Sequence, residues 1–386
     1  MTCTADSSAL AASIRSRADS HTRDRFRACL LGGAVGDALG APVEFMSRGE
    51  ILRRFGEGGI RDHVSAYGRV GAITDDTQMT LFTAEGVMRA HVRARTKGMC
   101  DPSGVIAYAY LRWLHTQGAK HAAHEDRLDG WLVSVKELHH QRAPGMTCLS
   151  ALRSLKSVSD QARNDSKGCG GVMRVAPIGL YAALRTKDRL ADEELEGAFN
   201  LAVDVAGITH GHVTGKLTAG VLAVAVACVV RGEALLPAIE RGLMILKSRE
   251  GHEETEKAIT LACALAIARP NDAAALALLG QGWIAEEALA ISLYAALSAP
   301  DLESAIVLAV NHDGDSDSTG SITGNLMGAM HGMSAIPQRW LHELELRDVI
   351  EQVADDMASM RAWKIDSYEE SDRDEAEYHW TRYPGC

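Results

Sequence analysis

Asp313-Gly314-Asp315-Ser316-Asp317-Ser318-Thr319-Gly320 opens a stretch that runs on with glycine at 324, 328 and 332. Its first half crowds three carboxylates and three hydroxyls into eight residues. Its second half sets Gly320, Gly324, Gly328 and Gly332 four residues apart, which is one face of a helix. Each glycine inside a helix costs about 1 kcal/mol relative to alanine. Four in register therefore imply a compensating gain, most simply the close backbone approach of a neighbouring helix rather than contact with a ligand. Such packing would hold Asp315 and Asp317 rigidly. The alternation places both carboxylates on one side of an extended segment, and Ser318 adds a hydroxyl as the helix begins. The run resembles the D-x-D-x-D-G calcium loop. However, glycine follows the first aspartate and Gly324 stands where the twelfth-position glutamate would be, which argues against an EF-hand.

A second cluster, Thr74-Asp75-Asp76-Thr77, has the same character. Capping of a helix start accounts for one or two of these residues. It does not account for adjacent carboxylates flanked by two hydroxyls. Both clusters sit between apolar elements and lead into helix-like stretches. Together they read as two halves of one oxygen-ligand site for a hard divalent cation, Mg²⁺ or Mn²⁺. Paired ions sharing a carboxylate recur in hydrolases, so a metal-dependent enzyme is expected.

Outward from these clusters the pattern is helical. Apolar residues recur at helical spacing over 25–39, 75–95, 104–116, 131–139, 146–157, 190–207, 214–231, 233–247, 253–268, 283–298, 301–310, 318–332 and 338–359. Period-two alternation is scarce, with Ile60–Val64 the kind of short piece that could pair as a strand. No repeat and no Pro/Ser/Gly-rich linker divides the chain. The expectation is an all-α, compact single-domain fold over residues 23–365. A polar, flexible arm (1–22) precedes it and an acidic, aromatic tail (366–386) follows it. The tail's Tyr378-His379-Trp380-Thr381-Arg382-Tyr383 suggests docking, and a frayed terminus is the alternative.

Composition narrows the function. A formal charge of −11 argues against general nucleic-acid binding, which needs clustered Lys and Arg. The most apolar run, Leu217–Val230, is short for a membrane span and reads as a buried core helix. The first 25 residues contain no long apolar stretch of the signal-peptide kind. The eight cysteines show no C-x-x-C pair and no zinc spacing, so a reduced, cytoplasmic protein is the simplest reading.

Three further stretches carry chemistry-bearing residues. Gly32-Gly33-Ala34-Val35-Gly36-Asp37-Ala38-Leu39-Gly40-Ala41-Pro42-Val43-Glu44-Phe45 superficially evokes a dinucleotide fingerprint, but no strand precedes it and no βαβ unit follows. Its small residues suggest tight helix packing, and Glu44 falls in the loop beyond. Ser166-Lys167-Gly168-Cys169-Gly170-Gly171-Val172-Met173-Arg174 could present consecutive backbone N–H groups to a phosphate. Thr209-His210-Gly211-His212 lacks a third nitrogen or sulfur partner for zinc and suits hydrogen bonding to a ligand, or capping.

In this order, these motifs resemble those of the ADP-ribosylglycohydrolase family, which includes dinitrogenase-reductase-activating glycohydrolases and ADP-ribosyl-arginine hydrolases. The likeness runs from about Arg25 to about Met360. It rests on the Gly-Asp-Ala-Leu-Gly-x-Pro-x-Glu stretch ending at Glu44, Thr-Asp-Asp-Thr at 74–77, Gly-Gly-Val-Met-Arg-Val-Ala-Pro at 170–177, Thr-His at 209–210 and Gly-Asp-x-Asp-Ser at 314–318. The resemblance implies two divalent cations, Mg²⁺ or Mn²⁺, at the bottom of a cleft. Thr74, Asp75, Asp76, Asp315, Asp317 and Ser318 would be the ligands, with Asp317 bridging and sharing a catalytic role with Glu44. Ser166, Gly168, Cys169 and Gly170 would meet the ADP-ribose phosphates, and His210 the ribose–phosphate portion. Ser318 stands where many members have Thr and keeps the hydroxyl. Cys169 stands where several have Asn, and a thiol is the weaker hydrogen-bond partner.

The expected activity is hydrolysis of the N-glycosidic bond of ADP-ribosyl-arginine on modified proteins. Serine-linked ADP-ribose or O-acetyl-ADP-ribose are alternative substrates. A second reading is an immunity protein that neutralises an ADP-ribosylating toxin, by hydrolysis or by blocking it with the arm, whose Arg15 and Arg17, with Arg23, Arg25 and Arg27 beyond, suit an acidic partner.

Overall fold

The computed structural model describes residues 3–119, 121, 128–185, 190–366 and 369–385. Residues 1–2 of the expected arm, and 367–368 and 386 of the expected tail, lie outside them. The described chain folds as helices α1 (Cys3–Arg15), α2 (Ser20–Gly40), α3 (Arg48–Phe55), α4 (Asp75–Lys97), α5 (Pro102–Thr116), α6 (Met146–Ser154), α7 (Ala176–Ala183), α8 (Asp192–Gly207) and α9 (Val213–Val230). It continues as α10 (Leu235–Leu246), α11 (Glu253–Ala268), α12 (Ala273–Leu276), α13 (Ala285–Ser298), α14 (Leu302–Val310), α15 (Ser316–His331), α16 (Gln338–Glu343), α17 (Arg347–Ser359) and α18 (Arg373–Arg382). The single hairpin among the described residues, β1 (Ser65–Ala66) with β2 (Arg69–Val70), falls just after Ile60–Val64, which does not pair.

Two helical expectations shift for local reasons, and one short helix, α3, adds to those expected. Residues 131–139 form two 3₁₀ turns, Leu132–Ser134 and Lys136–His139, instead of one helix. The long helix expected over 338–359 breaks at Leu346, whose φ of 57° is left-handed. The break buries Glu345, whose carboxylate accepts the Ile73 N–H at 3.1 Å. α3 starts on a capping box between Ser47 and Glu50, a signal shorter than the apolar periodicity that finds longer helices.

α9 is buried on nearly every side, as a helix apolar all round must be. By length and composition it could cross a membrane, with a mean hydropathy of 2.0, yet it lies inside the molecule. Against this core α2 and α15 run antiparallel with their backbones touching. A Cβ on Gly32 would lie 2.4 Å from the Gly324 carbonyl oxygen, one on Gly36 2.0 Å from that of Gly320, and one on Gly328 1.9 Å from that of Ala28. The four-residue glycine steps are thus interhelical packing. Gly332 is the exception: it ends α15 at a φ of 78° rather than joining the seam.

The N-terminal segment is docked, not a free arm. It forms α1 and buries Ile14. Its arginines are engaged within the molecule: Arg15 with Asp356 at 2.7 Å, Arg17 with Glu375 at 2.8 Å, Arg25 with the Ala329 carbonyl and Arg27 with Asp355. The tail docks beside it. Tyr383 donates to Asp356 at 2.6 Å, and His379 stacks on Trp363 with centroids 3.9 Å apart.

Candidate active site

The α2–α15 seam fixes the site. At its end Gly40 abuts Ser316 and the Asp317 nitrogen. One turn earlier on α2, the fully buried Asp37 accepts the Thr74 N–H at 3.0 Å, the Thr77 N–H at 3.1 Å and the Thr77 hydroxyl. A carboxylate from one helix thereby satisfies the orphan donors of another helix's first turn. Asp37 lies in the Gly-Asp-Ala-Leu stretch that carries the family resemblance, but the sequence reading gave it no role of its own. Its signal was a lone carboxylate inside a buried Gly/Ala/Leu helix, where an unpaired charge is expensive.

The Thr74–Thr77 cluster is held at the start of α4 as expected, with Thr74 the N-cap. Asp75 accepts the Gly145 N–H at 3.0 Å. On the other half, Asp315 is the N-cap of α15 and accepts the Ser318 N–H at 3.3 Å. The helix therefore begins at Ser316. Asp315 and Asp317 are gathered by a helix turn and not by an extended strand, as the alternation had suggested. Asp313 stands apart and accepts the Arg48 N–H at the start of α3. Glu44 lies in the turn after α2 and is 8% exposed, not a solvated surface residue.

The loop from Ser166 to Gly170 closes the other side. The Cys169 N–H donates to the Trp283 carbonyl at 3.2 Å and the Lys167 carbonyl accepts from Ala285. Lys167 pairs with Glu254 and Glu286, which ties the loop to α11 and α13. Ser166 lies 3.3 Å from the Thr147 hydroxyl. Cys169 donates its thiol proton to Asp315 at 2.7 Å, so its side chain meets an expected ligand. His210 lies beneath the loop: a Cβ on Gly170 would come 3.0 Å from its Cε1, and one on Gly168 3.4 Å from its Nε2. Thr209 bonds His210 Nδ1 at 2.8 Å while accepting from the buried Arg174 at 2.7 Å. With the threonine proton given to Nδ1, Nε2 carries the ring proton and presents a donor to the loop. Burial, reinforced by Arg174, pushes the imidazole down to about 3, so it is neutral.

The carboxylates form one electrostatic unit. Burial first, then mutual repulsion with Asp317, raises Asp37, Glu44 and Asp76 above the usual carboxylate range. Burial and Asp317 likewise raise Asp315, and burial raises Asp75 and Asp317. A nearby divalent cation is what would keep such groups ionised. The residues fit one: among the described residues, Asp76 Oδ1, Asp317 Oδ1 and Glu44 Oε2 are buried with no hydrogen-bond partner. No three His, Cys, Asp or Glu side chains among the described residues converge on a ready-made ion position.

Fold and site together describe an all-α protein built around a buried cluster of carboxylates and hydroxyls. The sequence profile of the ADP-ribosylglycohydrolase family matches residues 18–366, and the chain belongs to this family, whose members hydrolyse ADP-ribose conjugates. It is 29% identical over 347 residues to an uncharacterised protein of Archaeoglobus fulgidus, covering 86% of this chain and 95% of that one. It is 26% identical to the ADP-ribosyl-[dinitrogen reductase] glycohydrolase of Rhodospirillum rubrum, over 84% of this chain and 91% of the relative. It is 24% identical to the ADP-ribosylarginine hydrolase Tri1 of Pseudomonas putida, over 89% and 80% respectively. A solved structure described as an ADP-ribosylglycohydrolase-related protein complex superposes with a TM-score of 0.61 at 26% identity, covering 89% of this chain and 99% of that one.

Proposed function

We propose that the protein hydrolyses the N-glycosidic bond between ADP-ribose and an arginine side chain of a modified protein, and that it does so with two divalent cations, Mg²⁺ or Mn²⁺. The observation that carries this reading is the buried cluster of carboxylates and hydroxyls with orphaned oxygens on Asp76, Asp317 and Glu44. Thr74, Asp75, Asp76, Asp315, Asp317 and Ser318 would hold the ions. When bound, these would supply a water of lowered pKa and charge to set against the substrate's oxygens. The arginine choice is supported by the likeness to the ADP-ribosylarginine hydrolase of Pseudomonas putida.

The chain's own residues do the rest. Water adds to the anomeric carbon, the bond to the guanidinium nitrogen breaks, and a proton passes to that nitrogen. Glu44 would carry this proton. The surrounding carboxylates favour the positive charge that develops on the ribose. The neutral His210 would donate from Nε2 to the ribose–phosphate portion, and the Ser166–Gly170 loop would meet the diphosphate. The reading places the enzyme in the cytoplasm, in keeping with the free thiols Cys29, Cys100, Cys148, Cys169, Cys228 and Cys263. Reversal of a toxin's ADP-ribosylation would be the same chemistry. Blocking a toxin with the N-terminal segment would first require its arginines to leave Asp356 and Glu375.

Release of ADP-ribose from arginine-ADP-ribosylated protein, with Mg²⁺, with Mn²⁺ and with EDTA, tests the proposal beside serine-linked and O-acetyl-ADP-ribose substrates. Metal-dependent release from arginine supports it. Release only from serine or from O-acetyl-ADP-ribose overturns the linkage, and undiminished release in EDTA overturns the metal.

A further inference from the structure

Where the ends of α7, α9 and α17 meet the start of α2, the surface opens into two adjoining cavities. Their volumes are about 670 and 240 Å³, and they share Leu184 and Arg361 as a common wall. Phe26 lines the wider cavity and His91 the narrower. Both stand well away from the carboxylate cluster. Gly40 comes fourteen residues after Phe26 on α2, and His91 fifteen after Asp76 on α4. At about 1.5 Å per residue, each span is roughly 20 Å.

The chain carries 51 acidic and 40 basic side chains, yet this region reverses the balance. Arg17, His21, Arg231 and Arg361 line the wider cavity against one carboxylate, Asp19. Arg95, Arg185 and Arg361 line the narrower one against none. Part of this charge is already answered, Arg17 by Glu375 at 2.8 Å and Arg95 by Asp366 at 2.5 Å. Asp19 is itself taken up as the N-cap of α2, where it accepts the Thr22 N–H at 2.8 Å. No ion pair among the described residues engages Arg185 or Arg361.

The narrower cavity also carries rings. Tyr181 and His91 stand edge to face with centroids 6.3 Å apart. His91 Nε2 is buried and has no hydrogen-bond partner among the described residues. Burial, then Arg95, pushes this imidazole down to about 4, so it is neutral and the positive charge here belongs to the arginines. Phe26, Leu184 and Val230 give the wider cavity an apolar floor. An apolar and aromatic lining with a few placed polar groups is the make-up of a small-molecule pocket, and guanidinium groups match the geometry of phosphate.

We propose that the joined cavities form a second ligand site, separate from the carboxylate cluster, for a nucleoside polyphosphate. The base lies against Tyr181 and His91 in the narrower cavity. Arg185 and Arg361 take phosphate oxygens at the junction, and the remaining phosphates reach Arg231 and His21 in the wider one.

Calorimetric titration of the intact protein with ATP, tripolyphosphate and adenosine, in EDTA, tests the site. Without cations the carboxylate cluster repels phosphates, which keeps them out of it. ATP should bind and raise the melting temperature. Arg361→Glu, a change at an exposed position, should melt like the wild type but bind ATP roughly tenfold or more weakly, because a charge-assisted contact is reversed. Tripolyphosphate and adenosine, each lacking one half of the ligand, should bind at least about fivefold more weakly than ATP. Asp317→Ala should bind ATP as the wild type does. Undetectable ATP binding would overturn the site, as would an affinity that survives Arg361→Glu and is lost in Asp317→Ala. Equal affinities for ATP and tripolyphosphate would overturn the nucleoside polyphosphate as its ligand.

Discussion

Gly40 lies against the backbone of Ser316, so close that a Cβ on the glycine would come within 2.3 Å of the serine's carbonyl oxygen. The contact joins the end of α2 to the start of α15, and so sets Asp37 beside Asp317. The seam's stability should therefore be inseparable from the site. Gly36→Ala would drive a methyl to within 2.0 Å of the Gly320 oxygen. Overpacking of this kind costs about 1–3 kcal/mol, and the gain of about 1 kcal/mol in helix propensity offsets part of it. Urea unfolding should show a net loss of up to about 2 kcal/mol with reduced activity. Gly49→Ala, where no atom lies within 4 Å, is the control and should be neutral or slightly stabilising. Equal effects at both positions would show that the seam is not tight.

Asp37 holds one expected ligand, Thr74, by its backbone N–H, and through Thr74 and Thr77 it brackets two more, Asp75 and Asp76. Asp37→Asn keeps the shape and turns an amide N–H₂ toward the Thr74 and Thr77 donors. The lost acceptor should cost about 1–3 kcal/mol of stability. If the cluster binds metal, loss of an outer partner should also weaken Mn²⁺ roughly 10–100-fold. Calorimetric titration with Mn²⁺ separates the two effects. An unchanged affinity alongside lower stability would make Asp37 a helix cap alone.

The sequence shows the two acidic clusters plainly because each is contiguous, and it shows α4, α9 and α11 because their apolar spacing is long and regular. Asp37 is hidden for the opposite reason. One carboxylate in an apolar helix looks like noise until its partners, Thr74 and Thr77, are seen to come from another element. Docking of α1 was obscured by its polar composition: Ile14 and two arginines hold it, and their acceptors Asp356 and Glu375 lie at the far end of the chain.

Burial and mutual repulsion of the carboxylates are a standing source of instability without a cation. Mg²⁺ or Mn²⁺ should raise the melting temperature, with about 2.7 kcal/mol of stabilisation at a hundredfold excess over Kd. Asp75→Ala and Asp317→Ala should abolish turnover, keep the fold and lose the metal-induced rise. In EDTA, Asp317→Asn should melt above the wild type, because one member of a repelling set has been neutralised. An EDTA melt of Asp317→Asn below that of the wild type would show that the carboxylates are satisfied without a cation.

The docked tail should respond to mild acid through His379. Its ring is 1% exposed and stacked on Trp363, and neither nitrogen has a hydrogen-bond partner. Burial pushes it down to about 3, with Arg17, Arg382 and His91 lowering it further and Asp356 opposing. Glu375 stands 3.8 Å from Nε2. The unfolded chain binds a proton near the usual histidine value of about 6.5, whereas the folded chain does not. Between these values the unfolded state holds more protons, so stability rises with pH. The contribution is complete above about 6.5 and is lost progressively as pH falls toward about 3. Asp356 adds a second, more acidic limb: burial alone would raise its carboxyl, but Arg382, Arg15 and Tyr383 hold it below the ordinary range. Its contribution is present above about 3.9 and is lost as pH drops through its lowered folded value. Equilibrium unfolding from pH 7 to 4.5 should thus slope for the wild type and less steeply for His379→Phe, which no longer takes up that proton, while His210 and His91, likewise pushed down by burial, keep the remaining slope and the limb below pH 4 stays. A His379→Phe profile parallel to the wild type would place the proton uptake elsewhere.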